Sequence, residues 1–202
     1  MNKYLVKDIY TKLLKFSGEP LSREELESIK EFSVNNFTYS GELKGINLEE
    51  LKVMPNLEKL TLQRFQISDE ELKALENLES LKDLFFSGCS FSAKEFYEFP
   101  NLSSIEFNTC KYHQFPKIKL PKIVYINCAE DGLVLGDLTN LQNVEYITMK
   151  NIKKIMDFNL TSQMQNLKKL NIDGSDVDDK KTLKDLSKKI RVSHESNSYP
   201  IK

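Results

Sequence analysis

The chain has 202 residues, 40% of them hydrophobic and 29% charged, enough apolar material for a long continuous core. Lys+Arg total 29 against Asp+Glu 30, a net charge of −1, which removes any global electrostatic case for nucleic acid or an anionic membrane. Three cysteines, an odd number, argue against a disulfide framework.

Residues 2 to 16 carry Leu5, Ile9, Leu13 and Phe16 on one helical face, and Gly18 and Pro20 follow as stop signals. This predicts an amphipathic lid over the open end of whatever follows. The same start, MNKYLVKDIYTKLLKF, is interrupted by Lys7, Asp8, Lys12 and Lys15 and lacks the unbroken apolar run of a signal peptide. No stretch approaches the roughly 20 apolar residues of a membrane span. A cytoplasmic chain with reduced thiols is the expectation.

From Leu51 to Phe86 apolar residues fall every third position and then every second: Leu51, Met54, Leu57, Leu60, Leu62, and again Leu72, Leu75, Leu78, Leu81, Leu84, Phe86. This is the pattern L-x-x-L-x-L-x-x-N/C-x-L of a leucine-rich repeat, with a short strand at its centre. Side chains alternate along a strand, so Leu60 and Leu62 face a shared core while Thr61 and Gln63 face outward.

Laid along the chain, the template fits seven times. The inward triplets are Ile29, Phe32, Val34; Leu57, Leu60, Leu62; Leu81, Leu84, Phe86; Leu102, Ile105, Phe107; Leu120, Ile123, Tyr125; Val144, Ile147, Met149; and Leu167, Leu170, Ile172. Their starts give steps, by subtraction, of 28, 24, 21, 18, 24 and 23. All but the step of 18 fall within the roughly 20 to 29 residues of such repeats; that short coil has no room for a helix on its back. Asn56, Asn101, Asn143 and Asn166 each stand just before a triplet and support the register.

One repeat offers about six apolar side chains at roughly 2 kcal/mol each, whereas ordering some 22 residues costs on the order of 1 to 2 kcal/mol apiece in backbone entropy. A single unit therefore stays unfolded, and stability must come from stacking. The expected architecture is an α/β solenoid: an arc with a parallel sheet on its concave face, short helices and turns on the convex side, and helical caps at both ends. The domain reading is a single unit over 1–202, with an N-terminal cap over 1–20, about seven repeats over 21–177 and a C-terminal cap and tail over 178–202.

Ser22 with Glu25, Ser68 with Glu71, and Ser92 with Glu95 match the capping box S-x-x-E and predict three convex helices, the last carrying Phe96 and Phe99. Between Cys110 and Leu120 the short step and Pro116 predict an extended back. Asp178 to Lys189 reads as a final helix with Leu183 and Leu186 inward, and Ile190 with Val192 as an eighth, edge strand. His194 to Lys202 reads as a loose polar tail.

Candidate chemistry is sparse. Cys89, Cys110 and Cys128 count to the ninth repeat position, an interior place, and read as a buried ladder of small groups before a metal site or disulfide. Cys110 and His113 form a C-x-x-H pair without a second pair to complete a zinc set. The run DGSDVDD, with Asp173, Asp176, Asp178 and Asp179, departs from a calcium loop and reads as turn and helix-capping residues. No glycine-rich phosphate loop and no G-x-S-x-G is present, so neither an enzyme nor a cofactor is indicated.

The concave face remains. Most of its residues are polar, but Phe85, Val124, Ile126 and Tyr146 are not: the last three are predicted to form one apolar patch, with Phe85 two strands away across Glu106 and with Lys122 and Lys150 at the border, as the core of an interface would have. The reading is a module that binds another protein through these residues, as a monomer. An inhibitor or immunity-type protein acting on a toxin or enzyme, and a structural component that self-associates through the patch, are the alternatives.

The phrases LEELKVMPNLEKLTL and LKALENLESLKDLFF resemble bacterial leucine-rich repeat proteins of the internalin type, over roughly Leu21 to Val177. The resemblance implies a right-handed horseshoe or arc, lined by a parallel sheet and used for protein recognition. At position nine Phe65, Cys89, Cys110, Cys128, Ile152 and Ser175 stand where that family usually has Asn.

Overall fold

The structure, a computed structural model, describes residues 19–36, 46–112, 115–127, 132–138 and 141–194. The predicted N-terminal lid over 2–16 and nearly all of the tail lie outside these residues. Eight parallel strands form one sheet in strict chain order: β1 (Glu31–Asn35), β2 (Lys59–Gln63), β3 (Asp83–Ser87), β4 (Ser104–Asn108), β5 (Ile123–Asn127), β6 (Tyr146–Lys150), β7 (Lys169–Asn171) and β8 (Arg191–Ser193). Every strand pairs with its sequence neighbours, the order a solenoid requires. The predicted edge strand around Val192 is β8, paired in register with β7.

The template's inward residues form the core. Leu57, Leu60, Leu62, Leu84, Phe86, Phe107, Met149, Leu170 and Ile172 are all sealed from solvent. Polar bonds between coils accompany this packing. Asn56, Asn101 and Asn166 each donate a side-chain N–H to a carbonyl of the preceding coil, Glu27 (2.8 Å), Glu79 (2.6 Å) and Gln142 (2.9 Å). That is the physical reason for asparagine before the first apolar residue: it satisfies a carbonyl the sheet ladder does not reach.

Position nine works in the same way. The Cys89 thiol lies 3.3 Å from the Leu62 carbonyl, the Cys110 thiol 3.5 Å from that of Phe86, and the Ser175 hydroxyl 2.9 Å from that of Met149. Each donor reaches the last inward residue of the coil before it.

Two of the three predicted capping boxes form. Ser22 and Glu25 open α1 (Arg23–Ser28), and Ser68 and Glu71 open α2 (Asp69–Glu76). The third does not: Phe96–Tyr97 is extended and pairs with Lys117–Ile118, and Phe96 is exposed rather than inward. A helix advances only about 1.5 Å per residue against roughly 3.3 Å for a strand. A coil three residues shorter than its predecessor crosses its back only by being extended. The N–H groups that Ser92 would have capped are taken instead by the preceding coil, where Asp69 Oδ1 accepts from Lys94 and Glu95, both at 2.9 Å.

The extended back after Cys110 is present as Lys111–Tyr112 and Lys117–Ile118. The final helix, α3 (Lys180–Leu186), is shorter than predicted and starts at Asp179, whose carboxylate accepts from the Thr182 N–H at 3.0 Å. Asp178 caps the neighbouring coil, accepting from the N–H groups of Asp157 (2.8 Å) and Phe158 (3.1 Å). Asp178 and Asp179 of DGSDVDD thus serve a turn and a helix start, whereas Asp173 accepts from the Ser193 hydroxyl at 2.8 Å and Asp176 pairs with Lys180 at 2.9 Å.

The fifth strand corrects the sequence reading. Val124 pairs with Ile105 and Ile147, and Ile126 with Phe107 and Met149. Both are buried, at 1% and 0% exposure, whereas Ile123 is 48% exposed and Tyr125 is half-buried on the concave side. The inward triplet is therefore Pro121, Val124, Ile126, and the step from Leu102 becomes 19 by subtraction. Alternation could not set this register, because Ile-Val-Tyr-Ile is apolar on both faces. The neighbouring strands set it. The Ile123 N–H bonds to the Ser103 carbonyl at 3.1 Å, the place that Ser104 and Tyr146 hold in their own coils. By the same shift Cys128, which lies outside the described residues, counts to position eight rather than nine.

Candidate recognition face

The concave face has three rows of side chains, fixed by the strand register. The first runs Glu31, Lys59, Asp83, Ser104, Ile123, Tyr146, Lys169, Arg191; the second Ser33, Thr61, Phe85, Glu106, Tyr125, Thr148, Asn171, Ser193. The third runs Asn35, Gln63, Ser87, Asn108, Asn127, Lys150. Residues adjacent in a row stand about 4.8 Å apart, the interstrand distance.

Of the residues predicted for this face, Phe85, Glu106, Tyr146 and Lys150 are on it. Val124 and Ile126 are in the core. Lys122 precedes β5 and belongs to the rim, where its ammonium stands 3.8 Å from Glu145. The apolar cluster nevertheless survives, because the same one-residue shift that buries Val124 and Ile126 presents Ile123 and Tyr125. Ile123 lies directly opposite Tyr146, and Tyr125 lies two strands from Phe85 with Glu106 between them. Sequence reasoning missed Ile123 and Tyr125, although a signal was available. Val34-Asn35, Phe107-Asn108 and Ile126-Asn127 all pair a last inward residue with Asn, which aligns Ile126 with the core.

The rows differ in polarity. The third is tied by amide bonds, Asn35 donating to Gln63 at 2.7 Å and Asn127 to Asn108 at 3.1 Å, and Asn151 in the turn after β6 donates to Asn127 at 3.2 Å. At the strand-entry rim, two lysine–glutamate–lysine groups repeat across the coils. Glu58 stands between Lys82 (2.7 Å) and Lys30 (3.1 Å), and Glu145 between Lys168 (2.6 Å) and Lys122. The hydrogen bond from Lys82, then that from Lys30, holds the Glu58 carboxyl below its ordinary range; Lys168 does the same for Glu145.

Glu106 in the second row differs from these carboxylates. Among the described residues no hydrogen bond or ion pair reaches it, and desolvation on the sheet raises its carboxyl above the ordinary range. Its neighbour Tyr125 is also raised, first by desolvation and then by the charge of Glu106.

A family model described as "At1g61320/AtMIF1, LRR domain" matches residues 4–189. The chain belongs to this leucine-rich repeat family. Among solved structures, this leucine-rich repeat chain is similar to internalin C2 (inlC2) from Listeria monocytogenes str. 4b F2365, with a TM-score of 0.52 and 17% identity over 95% of this chain and 92% of that one. It also matches internalin inlF from the same organism, with a TM-score of 0.36 and 16% identity over 96% of this chain and 75% of that one. Comparison with curated proteins finds no match. At 17% identity the likeness to internalin C2 is one of fold alone. Leucine-rich repeat solenoids serve generally as scaffolds for protein binding, through the extended concave surface that stacking creates. Among the described residues, no helix of this repeat chain is long and apolar enough to cross a membrane.

Proposed function

We propose that this chain binds another protein through its concave sheet, with Ile123 and Tyr146 at the centre of the contact and Phe85, Glu106 and Tyr125 beside them. One observation carries the reading. Among the described residues, Ile123 (48%) and Tyr146 (41%) are the exposed large apolar side chains that face each other across two paired strands. Burying such a pair under a partner is favourable at roughly 25 cal/mol per Å² of apolar surface, and the surrounding ionic rim matches the polar border of an interface.

The test is affinity capture from the organism's own lysate by three folded forms of the full chain: wild type, Ile123→Ser with Tyr146→Ser, and the convex control Phe96→Ser with Met156→Ser. Exposed substitutions of this kind change stability by only about 0.5 kcal/mol. The protein captured by wild type is expected with the convex control and missing with the concave double variant. Undiminished capture by the folded concave variant would refute the assignment.

A further inference from the structure

We propose that Phe85, Glu106 and Tyr125 form a subsite for a cationic side chain, lysine or arginine, presented by the protein that docks on the concave face. The inference rests on the recognition reading above and adds the chemistry of the partner.

The three residues are consecutive in the second row, so the carboxylate-bearing residue has an aromatic residue beside it on each neighbouring strand, with the strands about 4.8 Å apart. A carboxylate without a partner and partly removed from water is a cost to the free protein. The groups around it offer no compensation. Along its own strand lie Ser104 and Asn108; on β3 the flanking side chains are Asp83 and Ser87, and on β5 Ile123 and Asn127. Asp83, the charged member of that set, carries the same sign and is hydrogen-bonded by the Ser104 hydroxyl.

The aromatic walls suit a cation as well. A cation attracted to the face of a ring gains most where water is excluded, and a guanidinium can bond a carboxylate while lying on a ring. Phe85 already receives one charge from β2, since the Lys59 ammonium lies 5.5 Å from its centroid. Lys59 is held there by Glu31 at 3.6 Å, which leaves Glu106 without an ion pair among the described residues. An incoming arginine or lysine completes the site that Lys59 half fills. The raised carboxyl of Glu106 agrees with a charge awaiting its counterion.

The probe is Nα-acetyl-arginine amide, titrated at millimolar concentrations into the full chain labelled with ¹³C, with its neutral isostere Nα-acetyl-citrulline amide as the comparison. The arginine probe is expected to shift the Glu106 carboxyl carbon together with the ring signals of Phe85 and Tyr125. Glu106→Gln, which keeps size and shape, should weaken binding about tenfold, as should citrulline. Phe85→Leu, which removes the ring and keeps an apolar side chain, should weaken it several-fold. Equal shifts with citrulline, or unchanged affinity in Glu106→Gln, would overturn the subsite. Failure here is separable from failure of the wider reading: capture that still depends on Ile123 and Tyr146 would leave the face standing with its cation site removed.

Discussion

The coil from Leu57 to Ser80 and the two coils after it solve the same packing problem with different material. The first is 24 residues long by subtraction and closes its back with α2, whose Leu72 and Leu75 fill the space behind the sheet. The next two are shorter, with steps of 21 and 19, and close theirs with extended segments: Ser90–Phe91 pairs with Gln66–Ile67 and Lys111–Tyr112, and Phe96–Tyr97 with Lys117–Ile118. Without a helix to supply leucines from the convex side, the core there is filled by rings. Phe86, Phe91, Phe107, Tyr112 and Phe115 stack and meet edge to face, with centroids 5.0 Å apart for Phe86 and Phe91 and again for Phe107 and Phe115. In these three coils the shorter step goes with an extended back, and the extended back with a cluster of rings behind the sheet.

The sharpest way to break that contrast is to remove one ring. Phe107 touches Phe86, Phe91, Tyr112 and Phe115, so Phe107→Ala deletes the centre of the cluster where an extended back cannot tilt inward to refill it. A loss of about 3 to 5 kcal/mol is expected. Leu72→Ala, in the helical coil, should cost about 2 to 4 kcal/mol, because α2 can settle partway into the cavity. Urea denaturation of the two variants measures both; a costlier Leu72→Ala would show that rings are not what sustains the narrow coils.

Asp69 joins the two kinds of coil. It begins α2 and at the same time accepts from the N–H groups of Lys94 and Glu95 and from the Tyr97 hydroxyl, the last at 2.9 Å. Desolvation pushes its carboxyl up, but the bonds from Glu95, Lys94 and Tyr97 outweigh this and leave it below the ordinary value. Tyr97, buried and facing that charge, is pushed far above the usual phenol range. Asp69→Ala should therefore cost about 1 to 2 kcal/mol, the worth of a lost cap. Because the folded value lies below the unfolded one, this stability is fully present above the ordinary aspartate range of about 4 and is lost as pH falls through the lower, folded value. Denaturation midpoints of wild type and Asp69→Ala should converge in acid. A gap that stayed constant down to the acid limit would mean that the charge of Asp69 plays no part.

Most of the fold was legible because leucine spacing reports burial directly. Six of the seven triplets were read in the right register, as were the edge strand at Val192 and the extended back after Cys110. The failures have physical causes. Ser92 and Glu95 carry a capping signature that a short coil has no length to use, and local chemistry cannot reveal that. Ile123 to Ile126 is apolar at every position, so only the neighbouring strands decide which side faces in. Pro121 occupies a place where leucine was sought, and Leu120 beside it drew the reading one residue early. The apolar cluster of the concave side was therefore placed on the right strands, with two of its residues exchanged for their neighbours.

The narrow and wide coils share the turn that ends each strand and differ there only in the residue that occupies it. The eighth position of the repeat takes a left-handed backbone at Arg64, Gly88, Thr109, Asn151 and Gly174, with φ between 51° and 72°. Glycine adopts this without cost and asparagine nearly so, but threonine is branched at Cβ and disfavours it. Thr109 keeps the conformation because its N–H is held by the Asn127 carbonyl at 2.8 Å, as the Gly88 N–H is by that of Asn108. The ladder imposes the turn, and the side chain bears strain of about 1 to 2 kcal/mol. Thr109→Gly should recover part of this, raising stability by about 1 kcal/mol after the added freedom of the unfolded chain is subtracted. The reverse change, Gly88→Ala, should lower stability by about 1 kcal/mol although its added methyl meets nothing closer than Arg64 Cγ at 3.5 Å. Thermal unfolding of the two variants decides the matter: shifts of opposite sign place the strain in the backbone, whereas a destabilised Thr109→Gly would place Thr109 among the supports of the narrow coil.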